Sequence, residues 1–146
     1  MDIVDLNTRG ERFVFSKLQE LGWIIDFKDC GDIDVITLKK DDKNIKIQIK
    51  TILNKNKTYL SEIAKTFDFD YLIITNLEKC WVIPKLLCKT IDTLKTFSVL
   101  EEKWSLLEFS GYFLVNELND LKIPYFLMDK AVLFKISSEM KVGRVF

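Results

Sequence analysis

Hydrophobic and polar positions alternate most regularly in the stretch from residue 31 to residue 51. Its second half predicts a strand with an apolar face of Ile45, Ile47 and Ile49 and a polar face of Lys46, Gln48 and Lys50. Residues 32–38 are mostly β-branched or apolar and predict a partner strand. The acidic and amide side chains at 41–44 favour a turn, because they hydrogen-bond their own backbone. We therefore expect a β-hairpin here.

The flanking patterns predict further elements of an α/β fold. A helix is expected over residues 9–21, with Thr8 and Glu11 as a capping box and Gly22 as the end signal. Apolar runs predict strands at 23–27, 70–75 and 80–83, and a short helix at 61–65. The sequence thus predicts a mixed central sheet of four to five strands flanked by helices, within a single domain over residues 1–146.

The C-terminal part, from residue 86 onward, has a different pattern. Pro84 suits the first position of a helix, and Ser98 with Glu101 matches a second capping box that opens a long apolar segment. Gly111 is a candidate break in that segment, and residues 123–136 predict a small hairpin or loops. Aromatic residues are dense here, which is typical of a core or of an oligomer contact. They are Trp104, Phe109, Tyr112, Phe113, Tyr125, Phe126 and Phe134.

Composition excludes several classes of site. The chain has 146 residues, 48% hydrophobic and 30% charged, which is ordinary for a globular domain. It contains no histidine, so a Cys/His metal site and a histidine-based nucleophile triad are excluded. Cys30, Cys80 and Cys88 fit no zinc spacing and are expected to be buried thiols. No apolar run suits a membrane span or a signal peptide, which predicts an intracellular protein, cytoplasmic or nucleoid-associated, with no membrane partner.

Charge is balanced overall but uneven along the chain. The formal net charge is zero, which argues against a polyanionic partner. Residues 39–57, however, contain seven lysines and two aspartates. This run is either an ordinary solvated face or a surface that follows phosphates, and both interpretations remain open.

The hairpin carries the strongest candidate chemistry. Alternation places Asp32 and Asp34 on one face of the first strand, and a suitable register would gather them with Gln48 and Lys50. A hard cation such as Mg²⁺ or Mn²⁺ takes oxygen ligands, for which Asp34, the Gln48 amide and the carbonyl of Ile49 are candidates. The Lys50 ammonium can orient a water or offset charge on a phosphate. The competing interpretation is that the lysines and Gln48 form the solvated face of an edge strand.

The order of these residues resembles a known family. Glu11, Asp34 at a strand start and Gln48-Ile49-Lys50 on the next strand are similar to the PD-(D/E)XK nuclease superfamily in its QxK variant, as in Mrr-like restriction enzymes and some homing endonucleases. The resemblance covers residues 8–85, a restriction-endonuclease-like core, and leaves 86–146 as a C-terminal elaboration. Two departures are the absence of a proline before the aspartate and a glutamine where most members carry an acid.

The resemblance implies a Mg²⁺-dependent endonuclease acting on double-stranded DNA, site-specific and of homing or restriction type. Asp34, Gln48, Ile49 and Glu11 would then hold the metal, and Lys50 would act on the water. Asp32 can take the place of Asp34, and Glu11 has a competing role as a helix cap. The expected DNA contacts are Lys46, Lys55, Lys57, Asn54 and Asn56. A homodimer or homotetramer is expected, since cutting both strands requires two sites.

Three other functions remain open at this point. One is a nuclease that resembles Holliday-junction resolvases. Another is a non-catalytic DNA-binding or assembly subunit with the same fold, and the last is a small α/β interaction protein.

Overall fold

A computed structural model of the chain describes residues 3–26, 35–52, 68–88 and 98–141. Its central feature is a five-stranded mixed sheet with helices packed against it, which confirms the α/β class and the number of strands. The strands are β1 (Ile24–Asp26), β2 (Val35–Lys40), β3 (Lys43–Thr51), β4 (Tyr71–Thr75) and β5 (Cys80–Pro84). Their spatial order follows the order of the sequence.

The sheet combines two kinds of pairing. Strands β1, β2 and β3 form an antiparallel meander, β4 lies parallel to β3, and β5 returns antiparallel to β4. Every residue of β4 and β5 is buried, as the near-continuous apolar runs predict for strands covered on both faces. The meander is half-covered instead, and its exposed polar positions include Lys46 and Lys50 of β3.

The hairpin of β2 and β3 is tighter than predicted. Lys40 pairs with Lys43, so Asp41 and Asp42 alone form the turn. Asp41 has a φ of 55°, a left-handed conformation that aspartate tolerates better than most residues. The ladder continues to the pair Val35 and Gln48, the last pair described for these two strands.

Helix α1 (Ile3–Glu20) begins earlier than its pattern predicts. Thr8 and Glu11 therefore lie inside the helix, and the capping-box prediction is wrong. The reason is that interior backbone N–H groups bond carbonyls one turn earlier, so the match to the motif has no terminus to cap. The end signal is confirmed: Gly22 has a φ of 91°, and the N–H of Trp23 bonds the carbonyl of Leu18 in a Schellman motif.

Two predictions for the C-terminal part are wrong. Glu101 does not cap a helix but forms an isolated β-bridge with Trp81 at the edge of the sheet. The predicted hairpin or loop region is helical, with a 3₁₀ helix at Tyr125–Leu127 and helix α4 (Lys130–Lys141). Helix α4 starts there because Asp129 Oδ1 accepts hydrogen bonds from the first-turn N–H groups of Ala131 and Val132.

The remaining C-terminal elements are short. They are α2 (Lys85–Cys88), a 3₁₀ helix at Trp104–Glu108 and α3 (Gly111–Asp120). Gly111, with a φ of 55°, begins α3, which confirms it as a break in the apolar segment. No helix in the described ranges is long and apolar enough to cross a membrane.

Candidate functional site

The polar face of β3 is the surface on which the predicted chemistry lies. Helix α1 packs against β3, and its Gly10 lies against Thr51. Successive side chains of a strand point to opposite faces, so Lys46, Gln48 and Lys50 point away from α1. Pairing places Val35 on one side of Gln48 and Leu72 on the other. The amide of Gln48 therefore lies between two apolar side chains.

Gln48 is buried without satisfying its oxygen. Its side chain is 5% exposed, and Oε1 has no hydrogen-bond partner among the described residues. Leaving a buried acceptor unpaired costs about 1–3 kcal/mol. A cation or a bound water would remove this penalty, because either supplies the electrostatic partner that Val35 and Leu72 cannot.

Two lysines flank Gln48 along the same face. Lys46 and Lys50 are both exposed, and neither forms an ion pair with any residue that the structure describes. The neighbouring lysines of the basic run behave differently. Lys39 pairs with Asp26 at 3.0 Å, and Lys40 and Lys43 both pair with Glu108 at 2.7 Å. In the part of the chain that the structure describes, the basic run is therefore divided. The lysines near the turn pair with carboxylates, and the two lysines beside Gln48 do not.

The predicted carboxylates Asp32 and Asp34 lie outside the described residues. Val35, the first described residue of β2, pairs with Gln48, so odd-numbered positions of β2 share a face with even-numbered positions of β3. The described pairing thus brings Val35, and neither aspartate, beside Gln48. The ligand role of Asp34 stays a prediction.

Glu11 is brought near the end of β3 by the close contact between Gly10 and Thr51. A Cβ added to Gly10 would lie 2.8 Å from the Cβ of Thr51 and closer still to its Oγ1, so helix and strand approach as only glycine permits. Glu11, the next residue of α1, is half-buried. Because Glu11 lies inside the helix, its competing role as a cap is removed, and its catalytic role stays a prediction.

Sequence reasoning missed Gly10 and Thr51. Thr51 Oγ1 is the second buried oxygen without a hydrogen-bond partner in the described part of the chain, and it faces the α carbon of Gly10. Weak C–H···O contacts of this kind recur where backbones approach closely. A glycine within an amphipathic helical pattern was the available signal.

Of the other predicted site residues, the structure describes Ile49 but not the four at 54–57. Ile49 is half-buried beside Ile73 of β4, and the described pairing with β2 ends one residue before it, at Gln48. Asn54, Lys55, Asn56 and Lys57 lie outside the described residues. Within the described ranges, no group of three or more acidic or cysteine side chains converges on a common point. The ligand set that includes Asp34 therefore stays a prediction.

The hairpin itself is firmly held at its turn. Lys40 Nζ donates to the carbonyl of Leu21 at the end of α1 and lies 5.4 Å from the ring centre of Trp23. The Glu108 carboxylate accepts hydrogen bonds from the ammonium groups of Lys40 and Lys43, and these two bonds lower the pKa of its carboxyl group. Helix α1, the hairpin and the C-terminal part thus meet at one ionic cluster, which limits movement of the strand that carries Gln48.

Comparison of this chain with protein-family models, with characterised proteins and with solved structures found no match.

Proposed function

We propose that this protein is a Mg²⁺-dependent DNA endonuclease that hydrolyses phosphodiester bonds. The proposal depends above all on one observation. Among the described residues, the buried oxygen Gln48 Oε1 has no hydrogen-bond partner, and Lys50 on the same strand face is exposed and forms no ion pair. An unsatisfied oxygen acceptor beside a positive charge suits a site for a hydrated cation and a phosphate.

Two of the expected ligand residues, Gln48 and Ile49, carry oxygen donors that suit a divalent metal. Gln48 Oε1 and the carbonyl of Ile49 would supply neutral ligands, and Asp34 would supply negative charge that glutamine lacks. Glu11 lies on α1, which packs on the opposite face of β3 from Gln48, so it would join this set only around the end of the strand. Mg²⁺ needs few protein ligands, because it keeps several of its waters. When bound, the ion would polarise the scissile phosphate and make a bound water more acidic.

Lys50 performs the second part of the chemistry. Its side chain lies two residues from Gln48 on the same face and is exposed, so its ammonium can reach a phosphate that approaches from solvent. There it donates hydrogen bonds to the attacking water and to the non-bridging phosphate oxygens, on which charge accumulates during in-line attack. Replacing Lys50 removes this stabilisation while leaving the fold intact, since the side chain packs in no core.

The arrangement of elements supports the restriction-endonuclease-like part of the proposal. Helix α1, the meander of β1, β2 and β3, and the parallel neighbour β4 follow the order that the resemblance implies. We place a site-specific enzyme of homing or restriction type ahead of a junction resolvase, because the net charge is zero and 86–146 is an added segment. A homodimer or homotetramer belongs to the same proposal.

The test is cleavage of supercoiled and branched DNA in Mg²⁺ and in chelator. Asp34→Ala and Lys50→Ala are the informative variants, and Lys103→Ala is the matched control because it removes an exposed lysine away from β3. Metal-dependent nicking or linearisation that is lost in the first two variants and kept in the third supports the proposal. Equal activity in Lys50→Ala and the parent protein would remove Lys50 from the mechanism.

A non-catalytic DNA-binding subunit is the second candidate. It is favoured by the neutral charge of Gln48, because a site that has lost its acid holds a metal less strongly. This candidate predicts DNA binding without cleavage of any substrate. Absence of both binding and cleavage would instead favour an interaction protein.

A further inference from the structure

We infer that a DNA chain passes over the two exposed lysines of β3, Lys46 and Lys50, and that Lys46 binds its backbone at a phosphate beyond the one being cleaved. The inference rests on the proposed function for the position of the scissile phosphate, between Gln48 and Lys50. It adds the path of the substrate and a second phosphate contact. It therefore specifies a polynucleotide, rather than a nucleotide or dinucleotide, as the substrate.

The spacing along β3 sets the minimum length of the substrate. Lys46 and Lys50 are four residues apart on one face, which corresponds to about 13 Å at the usual strand rise. One DNA strand advances by about 3.4 Å along the helix axis per nucleotide. Measured along the helix axis, the two ammonium groups therefore span about four nucleotides of one strand, so a substrate that contacts both carries more than one phosphate.

The charges around Lys46 define where the contact ends. Asp68 and Asp70 line a polar cleft together with Lys46 and Thr37. Asp70 Oδ2 already accepts the backbone N–H of Lys46 at 2.8 Å, and Asp68 lies 3.6 Å from Lys85. Lys85 offsets the charge of Asp68, so Asp70 is the carboxylate that repels a phosphate chain on the β4 side. The chain therefore leaves Lys46 over β2.

The face over β2 is open and polar. Thr37 lies opposite Lys46 across the strand pair, and Asn44 is exposed on the same face, so a hydroxyl and an amide can donate to phosphate oxygens. Ile24 of β1, on this face as well, is 67% exposed. No described element covers this part of the meander.

Lys39 provides a matched control. It lies on the same face as Lys46 and is similarly exposed, but Asp26 already neutralises it at 3.0 Å. Lys39→Ala deletes the same type of side chain from the same surface but removes no proposed phosphate contact. Lys46→Ala and Lys39→Ala therefore separate a specific contact from a general loss of positive charge.

The experiment is a salt titration of DNA binding by the full chain in chelator, with a labelled 20-base-pair duplex and fluorescence anisotropy. Each phosphate contact contributes about 0.9 to the slope of log K against log salt. We expect Lys46→Ala to reduce the magnitude of the slope by about 0.9 and to weaken binding at low salt, whereas Lys39→Ala keeps the slope of the parent protein because it removes no phosphate contact. With Mg²⁺ present, Lys46→Ala should raise KM for long duplexes by a larger factor than it lowers kcat.

Each outcome decides one of the two proposals. Equal slopes for the parent protein, Lys46→Ala and Lys39→Ala overturn the inferred path. Tighter binding of an RNA duplex than of DNA overturns the assignment to DNA. A reduced slope for Lys46→Ala alone, in a protein that never cleaves, supports the binding path and refutes the nuclease.

Discussion

The side-chain oxygen of Gln48 lies between Val35 and Leu72 without a hydrogen-bond partner in the described structure. Domains of this size are stable by about 5–15 kcal/mol in total, so one unpaired acceptor is a measurable fraction of that value. An apolar replacement of Gln48 therefore distinguishes a structural role from a metal-ligand role, because only a ligand role makes the stabilisation by Mg²⁺ depend on this side chain.

Replacing Gln48 by Met tests the two roles. In chelator, Gln48→Met should raise the free energy of unfolding by about 1 kcal/mol, because it removes the unpaired oxygen and keeps the volume. Millimolar Mg²⁺ should stabilise the parent protein and leave Gln48→Met unchanged, since only a folded state that binds metal gains from it. Urea denaturation in chelator and in Mg²⁺ gives both values.

Two further variants make this measurement decisive. Gln19→Met replaces an exposed glutamine on α1 and should respond to Mg²⁺ like the parent protein. Gln48→Glu restores the acid that most members of the resembled superfamily carry. It should be destabilised in chelator and recover stability in Mg²⁺. If Mg²⁺ stabilises none of these proteins, Gln48 is not a metal ligand.

At Gly10, the expected effect of an alanine replacement on stability is opposite to the usual effect in a helix. Replacing glycine by alanine inside a helix ordinarily stabilises it by about 0.5–1 kcal/mol. Gly10→Ala should instead destabilise the protein by several kcal/mol, because the added Cβ overlaps Thr51 and forces α1 away from β3. Thermal or urea unfolding of Gly10→Ala measures the effect.

A control variant on the same helix and a substitution of Thr51 test whether overlap with Thr51 causes the loss of stability in Gly10→Ala. Ser16→Ala, at an exposed position of the same helix, should change stability little or raise it slightly. In a Thr51→Gly background the cost of Gly10→Ala should fall, since the overlapping side chain is gone, and a double-mutant cycle measures the coupling. An alanine at position 10 that stabilises the parent protein would show that helix and strand are not in close contact.

At the scale of elements, the ionic cluster at the hairpin turn joins three parts of the chain. Lys40 and Lys43 on either side of the turn meet Glu108 of the C-terminal part, and Lys40 also bonds the last turn of α1 at Leu21. None of these contacts depends on periodicity, because each joins residues far apart in sequence. The hairpin is thereby held relative to the rest of the fold.

Glu108→Gln should destabilise the protein by about 0.5–1 kcal/mol at neutral pH, as expected for partly exposed ion pairs. Both lysines favour the charged carboxylate, so the pKa of Glu108 in the folded state lies below its ordinary value of 4.5. The stabilisation is therefore complete above pH 4.5 and is lost as the pH falls through the lower folded-state pKa. The difference between parent and variant should shrink in that acidic range.

Urea denaturation at several pH values and two ionic strengths measures this effect. Glu20→Gln is the control, because Glu20 forms a long and exposed 4.0 Å pair with Lys17 and should contribute almost nothing. A stability difference for Glu108→Gln that does not shrink as the pH is lowered to the point of acid unfolding would contradict the ionic origin.

Elements that local sequence patterns specify could be predicted from the sequence, whereas those that depend on contacts between distant residues could not. The hairpin, the buried strands β4 and β5 and the stop at Gly22 were predictable, because local patterns of side chains specify them. The capping boxes at Thr8 and Ser98 were not reliable, since each motif also occurs where no helix begins. Residues 123–136 were wrongly predicted because the N-cap of α4 is one buried aspartate, Asp129, within an apolar stretch that resembles a strand.

The features of the candidate site were also predictable only as far as alternation along one strand specifies them. Alternation placed Lys46, Gln48 and Lys50 on one face, and the strand pairing agrees with it. It did not reveal that Gln48 is buried and unpaired, because that depends on Leu72 of the parallel neighbour β4. It also did not give the register, which pairs Val35 rather than an aspartate with Gln48.

At the scale of the whole molecule, the described core is continuous across the boundary at residue 85. One cluster of buried apolar residues extends from Val14 on α1 to Met128 before α4. Glu102 accepts the backbone N–H of Cys80 and the indole N–H of Trp104, which fastens the C-terminal part to the edge strand β5. The N–H of Asp129 bonds the carbonyl of Leu86 at 2.7 Å. We therefore expect the described core to unfold as one cooperative unit.

Two buried thiols report on that cooperativity from either side of the boundary. Cys80 lies on β5 and Cys88 on α2, and burial raises the pKa of Cys80 to about 11 and that of Cys88 to about 12. Thiolate is the reactive form, so neither thiol should react in the folded protein near neutral pH. Stability should also fall above pH 9, where the unfolded thiols ionise before the folded ones.

Labelling with a thiol reagent should therefore proceed through global unfolding. Each thiol is followed alone, with Cys30→Ser and the other buried cysteine replaced by alanine. The protection of each thiol should then equal the unfolding equilibrium that urea gives for the same variant, because one core buries both residues. If Cys88 reacts tenfold faster than its variant unfolds while Cys80 does not, the segment after residue 85 opens separately and the chain is not one cooperative domain.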